Sequence, residues 1–291
     1  MVMAQYKESF GDALFRYLTM IVLGLLSLLM LMPFAKVLAT SFSGPNPVDA
    51  GKVFFWPVQF NLESWFYVLK QAPLWHSFLL TVFATVAGTF LCLLVTALMA
   101  YPLAKSEFKL AKIILFMVVM TMIFRYPIIP YFLSLRSYGL YNSIWVLIIP
   151  HTISAFNLII MRTFFRGMPK ELEEAAQMEG CGYFGLLFRI VLPSSKAVLA
   201  TLGIFYAVGI WNQFMTPLMF IEDQALYPLQ LKLREYIIYT DMATEGLKVE
   251  LPYNNTTLQS TTIIFATIPI LLVYPFLQKH FVKGALLGSV K

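Results

Sequence analysis

The chain has 291 residues, of which 59% are hydrophobic and only 12% charged, with a formal net charge of +6. Ordinary soluble domains are about a quarter charged, so this composition excludes a single water-soluble core and makes the bilayer the solvent. The lysines and arginines stand singly between apolar runs, which excludes nucleic acid as a partner, and Cys92 and Cys181 are too few and too far apart for a disulfide framework or a zinc site.

In chain order, a short basic segment, 1–16, precedes the first apolar stretch, Tyr17 to Leu38, which is too long for the h-region of a signal peptide and is expected to stay as a span. A long connector rich in Pro, Asn and aromatics, Ala39 to Trp75, leads to a second stretch, Ser77 to Leu103. The third and fourth, Ile113 to Leu135 and Ile144 to Phe164, are joined by the tight turn Arg136 to Asn142. The fifth and sixth are Val198 to Ile221 and Thr261 to Leu277, separated by the polar and aromatic connector Glu222 to Gln259. Each stretch is near the length of about 20 residues that crosses a hydrocarbon core, so the expected fold is all-α, a polytopic bundle of six transmembrane helices. Pro127, Pro130, Pro150, Pro217 and Pro269 lie within these spans, where kinks are tolerated.

Alternate connectors carry the basic residues. Lys7 and Arg16, then Lys105, Lys109 and Lys112, then Arg166, Lys170, Arg189 and Lys196, and finally Lys279, Lys283 and Lys291 in the tail 278–291, mark the cytoplasmic side by the positive-inside rule. Both termini are therefore expected in the cytoplasm, with the chain in a bacterial inner membrane.

One cytoplasmic connector, the region 168–193, reads as structure rather than loop. Pro169 suits a first helical position, Glu171, Glu173 and Glu174 complement the positive end of a helix, and Gly180 suits the left-handed residue past its end. A second amphipathic stretch runs from Tyr183 to Ile190, and Pro193 marks the start of the fifth span. On physics alone this is either a solvated surface helix or a docking helix.

The spacing Glu174-Ala175-Ala176, three residues, Gly180, nine residues, Ile190, one residue, Leu192-Pro193 resembles the E-A-A-x3-G-x9-I-x-L-P signature of binding-protein-dependent ABC importer permeases. Six spans with the signature between the fourth and fifth resemble the maltose-type carbohydrate permeases, and the tail Phe281 to Lys291 is similar to that of the branch serving alginate-like and pectin-derived saccharides. The resemblance implies a cytoplasmic coupling helix gripped by an ATPase subunit, with Glu171, Glu174, Ala175, Ala176, Glu179, Gly180 and Pro193 at the coupling site; many members have Asp where this chain has Glu179. It also implies a second permease subunit, an ABC ATPase dimer and an extracytoplasmic solute-binding protein, the last meeting Gln224, Tyr227 and Pro228. This chain has no G-x-x-x-x-G-K-[ST] loop, so no cofactor is expected on it, and ATP with Mg belongs to the partner ATPase.

Polar groups within the spans are the candidates for a substrate path. Arg125 sits in the third span, where a charge faces either a water-filled cavity or an ion-pairing neighbour, or snorkels to the headgroups. Asn157 and the run Trp211-Asn212-Gln213 combine amides with an aromatic face, which suits saccharide hydroxyls and ring faces and equally suits interhelical hydrogen bonds. Lone His151 reads as a packed residue, without the second ligand a metal needs.

The expected function is import of an oligo- or polysaccharide, with acidic uronate oligomers and neutral sugars as the two substrate alternatives. A permease for another small solute is the next alternative. An ion-coupled secondary transporter would carry Asp or Glu within its spans, and these six contain none. An intramembrane enzyme would show paired catalytic groups, which are equally missing.

Overall fold

The computed structural model describes residues 10–124, 126–244 and 253–287, and the chain divides into two compact units, 1–70 with 236–265 and 71–235 with 266–291. The tail residues 288–291, Lys7 and Arg125 lie outside the described residues.

In the first unit, α1 (Phe10–Ser41) buries only Ala39, Thr40 and Ser41. A helix that is apolar all round, with its side chains outward, is built for lipid or for another membrane helix. At its end Phe42 stacks on Phe60 and Trp65, with ring centroids 5.8 and 5.3 Å apart, and Ser43 pairs with Phe60 in an isolated bridge. The connector beyond is therefore folded, through α2 (Pro45–Asp49) and α3 (Glu63–Lys70). The Asn254 amide donates to the Asp49 carboxylate and the Pro45 carbonyl, and Ser64 Oγ donates to Thr257 Oγ1 at 3.1 Å.

The second unit is organised around α4 (Ala72–Ala104), whose buried stripe is made largely of small residues: Ser77, Ala84, Gly88, Cys92, Thr96, Ala97 and Ala100. Small side chains let membrane helices approach closely where no hydrophobic force drives them together. A Cβ added at Gly88 would come within 2.7 Å of Ile210 Cδ1.

The helices that follow are broken. α5 (Ala111–Ile123) and α6 (Ile128–Ser137) are separated where Pro127 withholds a donor and pushes its predecessor away from helical angles. Two 3-10 turns, Ile144–Leu147 and Ile149–His151, lead with a 48° bend into α7 (Ala155–Arg166), whose first turn is capped by Ser154 Oγ. Then come α8 (Lys170–Met178), α9 (Tyr183–Leu186), a π turn at Leu187–Val191 and α10 (Leu192–Ser194). Pro193 cannot donate to the carbonyl one turn back, which is where the helix widens.

The chain then turns by 84° into α11 (Lys196–Trp211), followed by α12 (Met215–Phe220), a 3-10 turn Gln224–Leu226, α13 (Leu229–Thr244) and α14 (Asn255–Leu287). α11 and α7 are the main packing partners of α4.

Among the described residues, α1 and α4 are each long and apolar enough to cross a membrane, and three bent pairs raise the number to five if each is one span. The expected uninterrupted third and fourth spans are thus segmented helices. The expected sixth lies within α14.

Candidate functional site

A cavity of about 1,170 Å³ opens in the second unit between the break after α5, the turn before α7, and α11. Its wall carries rings from Phe124, Tyr126, Phe156, Phe205 and Tyr206, and polar groups from Thr121, His151, Ser154 and Asn157. None of the described lining residues is Asp, Glu, Lys or Arg. Aromatic faces beside neutral donors and acceptors can pack against sugar rings and exchange hydrogen bonds with their hydroxyls, without repelling a carboxylate.

The wall is held by a polar node between three helices. Tyr206 Oη of α11 shares a hydrogen bond of 2.7 Å with Thr96 Oγ1 of α4 and accepts one of 3.2 Å from the Ser154 backbone N–H. Ser154 Oγ in turn caps the first turn of α7 at Asn157 N. His151 leaves its buried Nδ1 without a hydrogen-bond partner, while its carbonyl accepts from the Cys92 thiol at 3.3 Å. No group of three or more His, Cys, Asp or Glu among the described residues could hold a metal ion.

Of the expected substrate-path residues, Asn157 borders this cavity and is buried. Trp211, Asn212 and Gln213 are not among its lining residues. The Trp211 ring meets Phe78 edge-on at 6.0 Å; Asn212 Nδ2 donates back to the Val208 carbonyl; Gln213 Nε2 donates to the Leu147 carbonyl at 2.8 Å. Arg125 follows Phe124 in the chain and lies outside the described residues.

At the other end of the unit, α8 exposes Glu171, Leu172, Glu174, Ala175, Gln177 and Met178, and Glu179 and Gly180 follow, also exposed. Gly180 has a φ of +81°, donates to the Gln177 carbonyl at 2.9 Å, and Cys181 N–H donates to the Ala176 carbonyl at 3.0 Å. These two bonds form a Schellman motif, which requires a residue tolerant of the left-handed region. Ala176 is buried, and Glu173 is paired with Lys105 at the end of α4. Burial lowers the pKa of the Lys105 ammonium, but its hydrogen bond to Glu173 leads the opposing effects, and the net result is a pKa above its ordinary value. Pro193 is exposed, and so are Tyr183 and Phe184.

In the connector after α12, Gln224 is exposed, Tyr227 is half-buried with Lys232 Nζ over its ring at 5.8 Å, and the buried Pro228 accepts from Leu231 and Lys232 through its carbonyl. Asn142 Oδ1 accepts from Glu222 and Asp223 N–H, and Tyr141 Oη donates to Glu222 Oε1 at 2.5 Å. That hydrogen bond, which only the neutral phenol can donate, raises the Tyr141 pKa. Lys105, Tyr206 and Ser154 are functional candidates that pattern reading passes over. The available signals were a hydroxyl within an apolar span and an unassigned lysine on the connector opposite an acidic helix.

Residues 86–286 match the family described as "Binding-protein-dependent transport system inner membrane component". The polygalacturonan/rhamnogalacturonan transport system permease protein YtcP of Bacillus subtilis (strain 168) is 41% identical over 95% of this chain and 99% of its own. Protein LplC of the same organism is 42% identical over 92% of each. A chain in the crystal structure of a bacterial ABC transporter involved in the import of the acidic polysaccharide alginate superposes with a TM-score of 0.85 and 28% identity, covering 95% of this chain and all of that one.

Proposed function

This chain belongs to the family of binding-protein-dependent transport system inner membrane components, and from that premise we propose that it is the permease subunit of an ABC importer for acidic, uronate-containing oligo- or polysaccharides of the pectin type. It is a transport component and not itself an enzyme. The observation that carries the substrate class is the similarity, nearly end to end, to the polygalacturonan/rhamnogalacturonan permease. The cavity agrees in chemistry, because the described residues of its wall offer rings, hydroxyls and an amide and no carboxylate to repel a polyanionic sugar.

In this reading the chain crosses the membrane six times with both termini in the cytoplasm, and α8 is the coupling helix. Its exposed Glu171, Glu174 and Ala175, with Glu179 and Gly180, meet an ATPase dimer that binds ATP and Mg, while Ala176 and Pro193 set its packing and its exit. A second permease subunit completes the path. Gln224 leads the contact with a solute-binding protein, with Tyr227 and Pro228 holding that segment in shape. Asn157 lines the path, and Arg125, placed in sequence between two residues of the wall, is assigned to the substrate carboxylates.

Reconstitution of the four components in proteoliposomes tests this. Oligogalacturonides delivered by the binding protein are expected to stimulate ATP hydrolysis, with Arg125→Gln lowering that response selectively. Full stimulation by neutral oligosaccharides together with silence toward galacturonides would reject the substrate class.

A further inference from the structure

Resting on the assignment of α8 as the coupling helix, we propose that Lys105 is the positioning residue that fixes α8 to the end of α4, so that displacement of α8 moves the cavity wall. Of the described side chains of α8 only Ala176 is buried and only Glu173 half-buried, so these two, three residues apart on one face, make its seam with the rest of the unit. Ala176 packs in the core cluster that contains Ala97, Ala100 and Leu103 of α4 and Leu158, Met161 and Phe165 of α7. Glu173 is bound by Lys105, and the pair is largely withdrawn from water, with side-chain exposures of 22% and 15%.

The same turn of α4 is gripped from other directions. Lys105 Nζ lies 4.6 Å from the Tyr101 ring centroid, that ring meets Phe165 edge-on, and Arg162 Nε of α7 donates to the Leu103 carbonyl at 3.1 Å. The end of α4, α7 and α8 therefore move as one packed body. Nine residues back along α4, roughly 14 Å at 1.5 Å per residue, Thr96 meets Tyr206 and through it Ser154, both on the cavity wall. A rigid helix joins the two ends, which is how close-packed elements carry a displacement. The ion pair gives this lever its grip, because removing either charge leaves Ala176 as the one described side chain of α8 buried against the end of α4 and α7.

The test is saccharide transported per ATP hydrolysed, in proteoliposomes holding the full complex, with trigalacturonate as probe. Lys105→Glu and Glu173→Lys are each expected to lower this ratio about two- to thirtyfold while the ATPase still co-purifies. The doubly exchanged variant, with the charges swapped, is expected to return to within about twofold of the original, as is Lys105→Arg. Wild-type ratios in both single variants, or a double variant as poor as either single one, overturn the proposal.

Should a single exchange fail to assemble, the neutral variants Lys105→Gln and Glu173→Gln take its place and are each expected to lower the ratio in the same direction; wild-type ratios in both are a negative result. Hydrolysis in the unmodified complex that ignores both saccharide and binding protein would instead overturn the assignment of α8, and the proposal with it. That failure appears without any substitution and is distinguishable for that reason.

Discussion

Tyr206 ties α11 to two neighbouring helices, because one oxygen serves Thr96 of α4 and the backbone that starts α7. Hydrogen bonds inside a bilayer are worth about 0.6 kcal/mol on average, since the unfolded chain in lipid also finds partners. Tyr206→Phe is thus expected to cost about 1–2 kcal/mol for two bonds, read as a lower detergent-unfolding midpoint, and to weaken saccharide-stimulated hydrolysis more than basal hydrolysis. An equal loss in both activities would make Tyr206 a packing residue only. Lys105 yields a pH expectation. Its folded pKa is raised, so its stabilising contribution is complete below the unfolded value near 10.5 and disappears only as pH rises through the higher folded value. The ratio of transport to hydrolysis is expected to show no lysine-dependent fall between about pH 6 and 9, and a fall within that window that Lys105→Arg abolishes would contradict the direction of the shift.

At the scale of elements, α8 is where local rules suffice, because its acidic first turn and its terminal glycine act within a few residues of chain. Helix bounds at Lys170 and Met178 put Pro169 just before the first turn, one position earlier than its expected first helical place. The left-handed Gly180 leads to a prediction: Gly180→Val forces a side chain into that region at about 1–2 kcal/mol, whereas Gly180→Asn tolerates it. Coupling should fail in the first and survive in the second; equal failure would mean that the partner needs the missing side chain rather than the turn. The breaks are a different matter. Hydropathy located the stretches around Ile113–Leu135 and Ile144–Phe164, and the prolines at 127 and 150 were visible as sites of possible kinking. Whether a proline bends a helix or ends it depends on what satisfies the freed carbonyls, and that is decided by neighbouring helices remote in sequence. The same holds for the cavity: Asn157 was legible as a polar residue in an apolar span, but Gln213, equally polar, spends its amide on the Leu147 carbonyl 66 residues away. Amide chemistry alone cannot separate a wall residue from a strut.

For the whole molecule, the decisive quantity is which face of the bilayer each connector occupies. The basic connectors alternate along the sequence, and α8 lies on one of them together with Lys105, its ion-pair partner from another. The pairing is an independent geometric link, since two connectors can meet through side chains only if they leave the bilayer on the same side. By the same reasoning Asn142, from the turn between α6 and the first 3-10 segment, accepts from Glu222 and Asp223 after α12, so those two connectors share a face. Each pair is separated by an odd number of expected crossings from the other, which puts the two faces on opposite sides if every bent pair crosses once. Single cysteines test the arrangement in a chain carrying Cys92→Ser and Cys181→Ser. Exposed Glu179→Cys is expected to react with an impermeant maleimide only from the cytoplasmic side of spheroplast-derived vesicles, and exposed Asp223→Cys only from the outer side. Labelling of both from one side would mean that the chain between them re-enters the face it left, and the six-crossing arrangement would have to give way to one with a re-entrant segment at the 84° bend before α11 or at the break between α11 and α12.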